Sequence, residues 1–127
     1  YHHIKGFSER WDDAVKARLA AVEAGWSTRM GAAIRHAGQM LSARKSEKRI
    51  LLVLTDGEPA DIDVADPQYL IADTKKAVAE RSTAGVTTFC LSLDPKADAY
   101  VGDIFGVLDR IERLPEQLPM VYLNLTR

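Results

Sequence analysis

Cysteine is nearly absent from this 127-residue chain: Cys90 stands alone, inside the apolar run 86–93, and has no partner with which to close a disulfide. No basic residue flanks it to lower its pKa, so a buried structural thiol is expected rather than a nucleophile. A single unpaired thiol also suits a reducing compartment. Long hydrophobic runs are missing as well: none approaches the ~20 residues needed to cross a bilayer, and Tyr1-His2-His3-Ile4-Lys5 lacks the apolar core of a signal peptide. A cytoplasmic location is the expectation. Charge of one sign is not in excess. Seventeen basic residues against eighteen acidic ones leave a net charge of −1, with no field to draw nucleic acid or an anionic membrane. Neither Gly-x-x-x-x-Gly-Lys nor Gly-x-Gly-x-x-Gly occurs, so no phosphate-cradling loop for ATP is expected.

What is present is the composition of a folded domain, 46% hydrophobic and 28% charged, undivided by repeats, low-complexity tracts or a glycine-serine linker. Tyr1 to Phe7 reads as a strand-like run. Trp11, Val15, Leu19 and Val22 recur at helical spacing, predicting an amphipathic helix from Ser8 or Glu9 to Ala24 that stops at Gly25. A second helix follows, with Met30, Ala33, Ile34, Ala37 and Leu41 on one face and Ser27 or Thr28 placed as N-cap. After the polar break 45–49, the run Ile50-Leu51-Leu52-Val53-Leu54 has the pattern of a parallel strand buried on both faces. A polar loop with two prolines, 58–68, leads to a helix over 69–84 ending at Gly85, and then to a second apolar strand over 86–93. Strand, helix, strand is a βαβ crossover. A short helix around 97–105, a strand near 107–111 and a helix carrying Leu114, Leu118, Val121, Tyr122 and Leu125 complete the reading.

In an open parallel sheet, ligands bind beyond the carboxyl ends of the strands. Asp56 follows the best strand directly, and Gly57 turns the chain without a side chain in the crevice. A carboxylate there suits a hard cation such as Mg²⁺, although Asp-Gly is also an ordinary turn. Ser27-Thr28 brings hydroxyls to the same edge, either as further hard ligands or simply as a helix cap. Glu58, Asp61, Asp63 and Asp66 make the following loop acidic, either as a solvated loop or as a contact for a basic partner. Arg29 and Arg35 could meet an acidic partner, and Trp26 a partner at the rim. His36 reads as a surface or capping histidine. A different class of reading is a metal-dependent hydrolase using Asp56 with Asp61 and Asp63.

Two ordered segments, Ser27-Thr28-Arg29-Met30-Gly31-Ala32-Ala33-Ile34-Arg35-His36-Ala37 and Leu51-Leu52-Val53-Leu54-Thr55-Asp56-Gly57-Glu58-Pro59-Ala60-Asp61-Ile62-Asp63, resemble the von Willebrand factor A (VWA) domains of the NorD and CbbO type. Those proteins activate nitric oxide reductase and Rubisco. Further matching stretches are Asp66-Pro67-Gln68-Tyr69, Ala72-Asp73-Thr74, Ser92-Leu93-Asp94, 97–100 and Ile104-Phe105-Gly106. The resemblance implies an α/β fold, a three-layer Rossmann-like arrangement about a mostly parallel sheet. It also implies a non-enzymatic adaptor with a metal-ion-dependent adhesion site that works with a MoxR-type AAA+ ATPase and a target enzyme offering an acidic side chain. By motif match, Thr28 and Asp56 take the metal-ligand roles for Mg²⁺, with Ser27, Arg29, Gly57, Glu58 and Asp61 around them as partner contacts. The family's Asp-x-Ser-x-Ser loop has no counterpart among these residues. Residues 1–127 are therefore expected to be the carboxyl-terminal part of a single VWA domain lacking its first strand or strands. Self-association through the sheet edges so exposed is expected in turn.

Overall fold

A computed structural model describes residues 1–25, 27–97 and 108–110, together with Pro119 and Leu123. Local chemistry sets where each element starts and stops. Helix α1 (Asp13–Ala20) begins after Asp12, whose carboxylate accepts from the backbone N–H of Val15 at 3.0 Å. Asp13 in its first turn and Arg18 in its last complement the helix dipole. Helix α3 (Pro67–Thr83) is capped in the same way: Asp66 accepts from Gln68 N–H at 3.0 Å, and Pro67 occupies the opening turn, where its missing N–H costs nothing. Gly85 follows at φ 78°, a left-handed conformation that glycine adopts without strain. The chain then enters strand β2 (Val86–Ser92).

Strand β1 (Arg49–Thr55) pairs in parallel with β2, with Leu51 beside Thr88, Val53 beside Cys90 and Thr55 beside Ser92. A short strand β3 (Leu108–Arg110) adds in parallel on the far side of β2, giving the order β1-β2-β3. The architecture is mixed α/β with a parallel sheet, a partial Rossmann-like fold, as the sequence predicted. The expected crossover is α3, and the strand expected over 107–111 is β3.

Helix α2 (Met30–Ser42) and α3 lie together on one face of the sheet. Their core joins Met30 and Ile34 of α2, Ala77 of α3, Cys90 of β2 and Ala97, with Leu51, Val53, Ile71 and Val78 packed against it. Two glycines let the helices approach. A methyl group at Gly31 would stand 3.2 Å from the backbone carbonyl carbon of Asp73, and one at Gly38 would meet Arg81. Around this contact Arg35 clamps α3: Nη2 donates to Asp73 Oδ1 at 2.9 Å and Nε to Glu80 Oε2 at 2.8 Å. The bonds to Asp73 first, and to Glu80 second, hold the guanidinium above its ordinary pKa. Arg35 thus serves an internal contact rather than the partner contact weighed from sequence.

Several expectations need correction. Residues 1–6 form no strand, and a turn occupies Phe7 and Ser8. Helix α1 is shorter than predicted because Asp12 caps it late, and of its predicted stripe only Val15 is buried, while Trp11, Leu19 and Val22 are about half exposed. On α2 the buried stripe is Met30, Gly31, Ile34 and Gly38, and Ala33 is exposed, because the helix turns Gly31 and Gly38 towards Asp73 and Arg81 of α3. Strand β1 is not buried on both faces: Leu54 is 63% and Leu52 41% exposed. Among the described residues, α2 and α3 cover only the side bearing Leu51 and Val53. The predicted short helix around 97–105 falls outside the described residues beyond Ala97. So does the predicted helix over 114–125, apart from Pro119 and Leu123, which are helical and exposed.

Substituting Gly31→Ala is expected to lower stability by about 1–2 kcal/mol in denaturant titration, since overpacking against the Asp73 backbone outweighs alanine's helix preference. Gly25→Ala, with open space around it, is expected to change stability by less than about 0.5 kcal/mol. Burial pushes the Cys90 thiol up to about 11, so at pH 8 it should react with an aromatic disulfide reagent only at the rate of opening, and rapidly once the chain is unfolded.

Candidate functional site

Beyond the carboxyl end of β1 the chain turns sharply. Thr55 shapes the turn: its hydroxyl donates to Gly57 O at 2.7 Å and receives Gly57 N–H at 3.3 Å. Asp56 is thereby held exposed at the apex. Gly57 does not use a left-handed conformation, and a side chain there would touch nothing, so its place after Asp56 is not imposed by backbone geometry. Thr55 was not among the site residues expected from sequence, although a threonine two residues before glycine after a strand is a recognisable turn signal.

The second loop arrives from far upstream. Thr28 forms an isolated antiparallel bridge with Ala60: Ala60 N–H donates to Thr28 O at 3.2 Å, and Thr28 N–H donates in return to Ala60 O at 2.6 Å. Thr28 is therefore not the cap of α2, as the sequence suggested. Arg29 holds the cap position, no side chain bonds the first turn, and the Thr28 carbonyl accepts from both Ala60 N–H and Met30 N–H. Trp26 lies outside the described residues.

Side chains tie the two loops further. Ser27 Oγ donates to Asp61 Oδ1 at 3.2 Å, Arg29 Nε donates to Asp61 Oδ2, and Arg29 Nη2 reaches Asp63 Oδ2 at 3.2 Å. Asp61 Oδ1 also accepts from Asp63 N–H at 3.1 Å. The Asp61 side chain is only 2% exposed, screened by partners that themselves stand near the surface, Arg29 being 58% exposed. The Arg29 hydrogen bond first, then the Asp63 N–H, draws the Asp61 carboxyl below its ordinary value of 3.8 and raises Arg29 above its own. Both Asp61 oxygens are committed, and Asp63 shares the same arginine. A hydrolytic pair made from them would have to break these bonds first. Nor are they a free acidic face for a partner: within the stretch 58–66, Asp61 and Asp63 hold Arg29, Asp66 caps α3, and Glu58 stands exposed.

A hard divalent cation requires oxygen donors not already spent on protons or cations. The Thr28 hydroxyl and the Asp56 carboxylate meet that condition: both residues are exposed, and among the described residues neither side chain makes a hydrogen bond or ion pair. The donor set is of the right kind for Mg²⁺. Among the described residues no three His, Cys, Asp or Glu side chains gather as a metal-holding group, so any such site would rely on a hydroxyl and a carboxylate. His36 packs its ring against Tyr1 at 4.6 Å, away from these loops in contact and in sequence. No helix among the described residues is long and apolar enough to cross a membrane.

If Arg29 depresses Asp61, the stabilisation from their pairing is complete above the ordinary aspartate value and disappears as pH falls through the lowered one. A ¹³C titration of the Asp61 carboxyl should show a midpoint below 3.8, and Arg29→Gln should return it towards 3.8. A midpoint unaffected by the substitution would contradict the pairing.

No family model matches the chain, and no solved structure matches it. Among characterised sequences it is 36% identical to protein NorD of Brucella melitensis over 96% of the chain, and 38% identical to protein NorD of Stutzerimonas stutzeri over 81%. An uncharacterized protein of Pseudomonas aeruginosa is 39% identical over 98% of the chain. The chain spans about one fifth of the length of the curated relatives it matches. Over nearly all of its own residues, then, the chain is a NorD-like region, similar to one stretch of those larger proteins.

Proposed function

We infer that this region is a protein-binding module of a VWA type, non-enzymatic in itself, which takes part in activating a nitric oxide reductase or a comparable target enzyme. The observation that carries the reading is the Thr28–Ala60 bridge. It draws the loop of one sequence motif against the loop of the other, while leaving the Thr28 hydroxyl and the Asp56 carboxylate uncommitted. NorD relatives, matched along most of the chain, support the choice of target class.

In this reading Thr28 and Asp56 hold Mg²⁺ through hard oxygens, and the ion supplies positive charge for an acidic side chain of the target. Asp56 contributes a formal charge at the apex of its turn, where a partner can approach without displacing backbone. Thr28 contributes a neutral oxygen whose position is set by two backbone hydrogen bonds. Ser27, Arg29, Gly57, Glu58 and Asp61, carried on the same two loops, are the residues this reading gives to partner contact. A MoxR-type AAA+ ATPase would supply the work of remodelling, since the chain carries no nucleotide loop. The exposed Leu52 and Leu54 side of β1, at the edge of the described sheet, is the surface for association with further chain or with a second copy.

The test is capture of the target enzyme by the full-length protein. Capture should occur in Mg²⁺, fall at least about tenfold in chelator, and fall equally in Asp56→Ala. Equal capture with and without chelator would reject the cation-mediated reading.

A further inference from the structure

Arg29 and Asp61 stand thirty-two positions apart, yet join the two loops that carry Thr28 and Asp56. One end of the tie is Thr28's immediate neighbour, and the other is Ala60's. In an antiparallel bridge these neighbours lie on opposite sides of it, so the pair spans the Thr28–Ala60 bridge. Ser27 adds a bond to the same carboxylate from the residue before Thr28, and Asp63 adds a second carboxylate to the same guanidinium. Two backbone hydrogen bonds at the surface would be an open, exchanging contact by themselves. The Arg29–Asp61 pair adds a side-chain tie beside those two bonds, with the Asp61 carboxylate itself 2% exposed. Among the described residues these are the side-chain bonds that join the Asp56 loop to the start of α2.

We propose that the Arg29–Asp61 pair is a latch that sets the placement of Thr28 relative to the Asp56 turn, so that both are positioning residues for cation binding rather than ligands. The proposal rests on the reading of Thr28 and Asp56 as the cation-holding pair. Because Arg29 and Asp61 act as one unit, losing either loosens the same bridge, and losing both costs no more than losing one.

The experiment compares full-length wild type, Arg29→Gln, Asp61→Asn, the double variant and Asp56→Ala. It reads Mn²⁺ affinity by electron paramagnetic resonance and amide hydrogen exchange without metal. Each single latch variant should weaken Mn²⁺ binding about tenfold, and the double variant by no more than the worse single. Exchange should quicken at the Thr28 and Ala60 amides while those of Val53 and Cys90, in the β1–β2 ladder, stay as in wild type. Unchanged exchange at Thr28 and Ala60, faster exchange across the ladder too, or additive losses in the double variant would each overturn the latch. Latch variants that loosen the bridge but bind Mn²⁺ normally, while Asp56→Ala does not bind, would overturn its positioning role alone. Retention of Mn²⁺ affinity in Asp56→Ala would instead overturn the underlying reading of the site.

Discussion

Parallel pairing of Arg49–Thr55 with Val86–Ser92 obliges the chain to travel back along the sheet before the second strand can begin, and α3 is that return path. Because the strands run the same way, their carboxyl ends lie at one edge. The Thr55 turn and the Ser92–Asp94 segment leave the sheet there together, with Leu93 N–H bonded to Thr55 O at 2.9 Å. The helices follow from the same constraint. α3 must lie against β2 to complete the crossover, and α2 is drawn in beside it because Met30 and Ile34 find their burial between α3 and the strands.

How closely α2 can settle is decided by two glycines and one arginine. Gly31 and Gly38 leave room for Asp73 and Arg81, and Arg35 binds Asp73 and Glu80 across the gap. This packing fixes the direction in which α2 begins, and its beginning carries Thr28. The site is therefore coupled to the helix contact: the loop before α2 can meet Ala60 only because α2 starts at the sheet edge from which Asp56 projects.

Charge at this edge is partitioned. Asp61 and Asp63 are taken up by Arg29, and Asp66 by the first turn of α3, so the acidity read along residues 58–66 is largely spent on holding the structure. Asp56 and Glu58 remain outward.

Much of this was legible in the chain itself. The apolar runs at 50–54 and 86–93, the glycine stop of α3 and the Thr55-Asp56-Gly57 turn are short-range signals, each set by chemistry within a few residues, whereas α3 starts at Pro67 behind its Asp66 cap, two residues before the expected start. They determined an α/β unit with a loop carboxylate at the strand end. Tertiary structure alone decided the rest. That Thr28 bonds Ala60 instead of capping α2, that Arg29 meets Asp61 and Arg35 meets Asp73, and that α2 and α3 cover the Leu51 and Val53 side of β1 all depend on residues tens of positions apart. Periodicity tells a helix where its faces are, but a hydroxyl or a guanidinium takes whichever partner the packed fold places within hydrogen-bond reach.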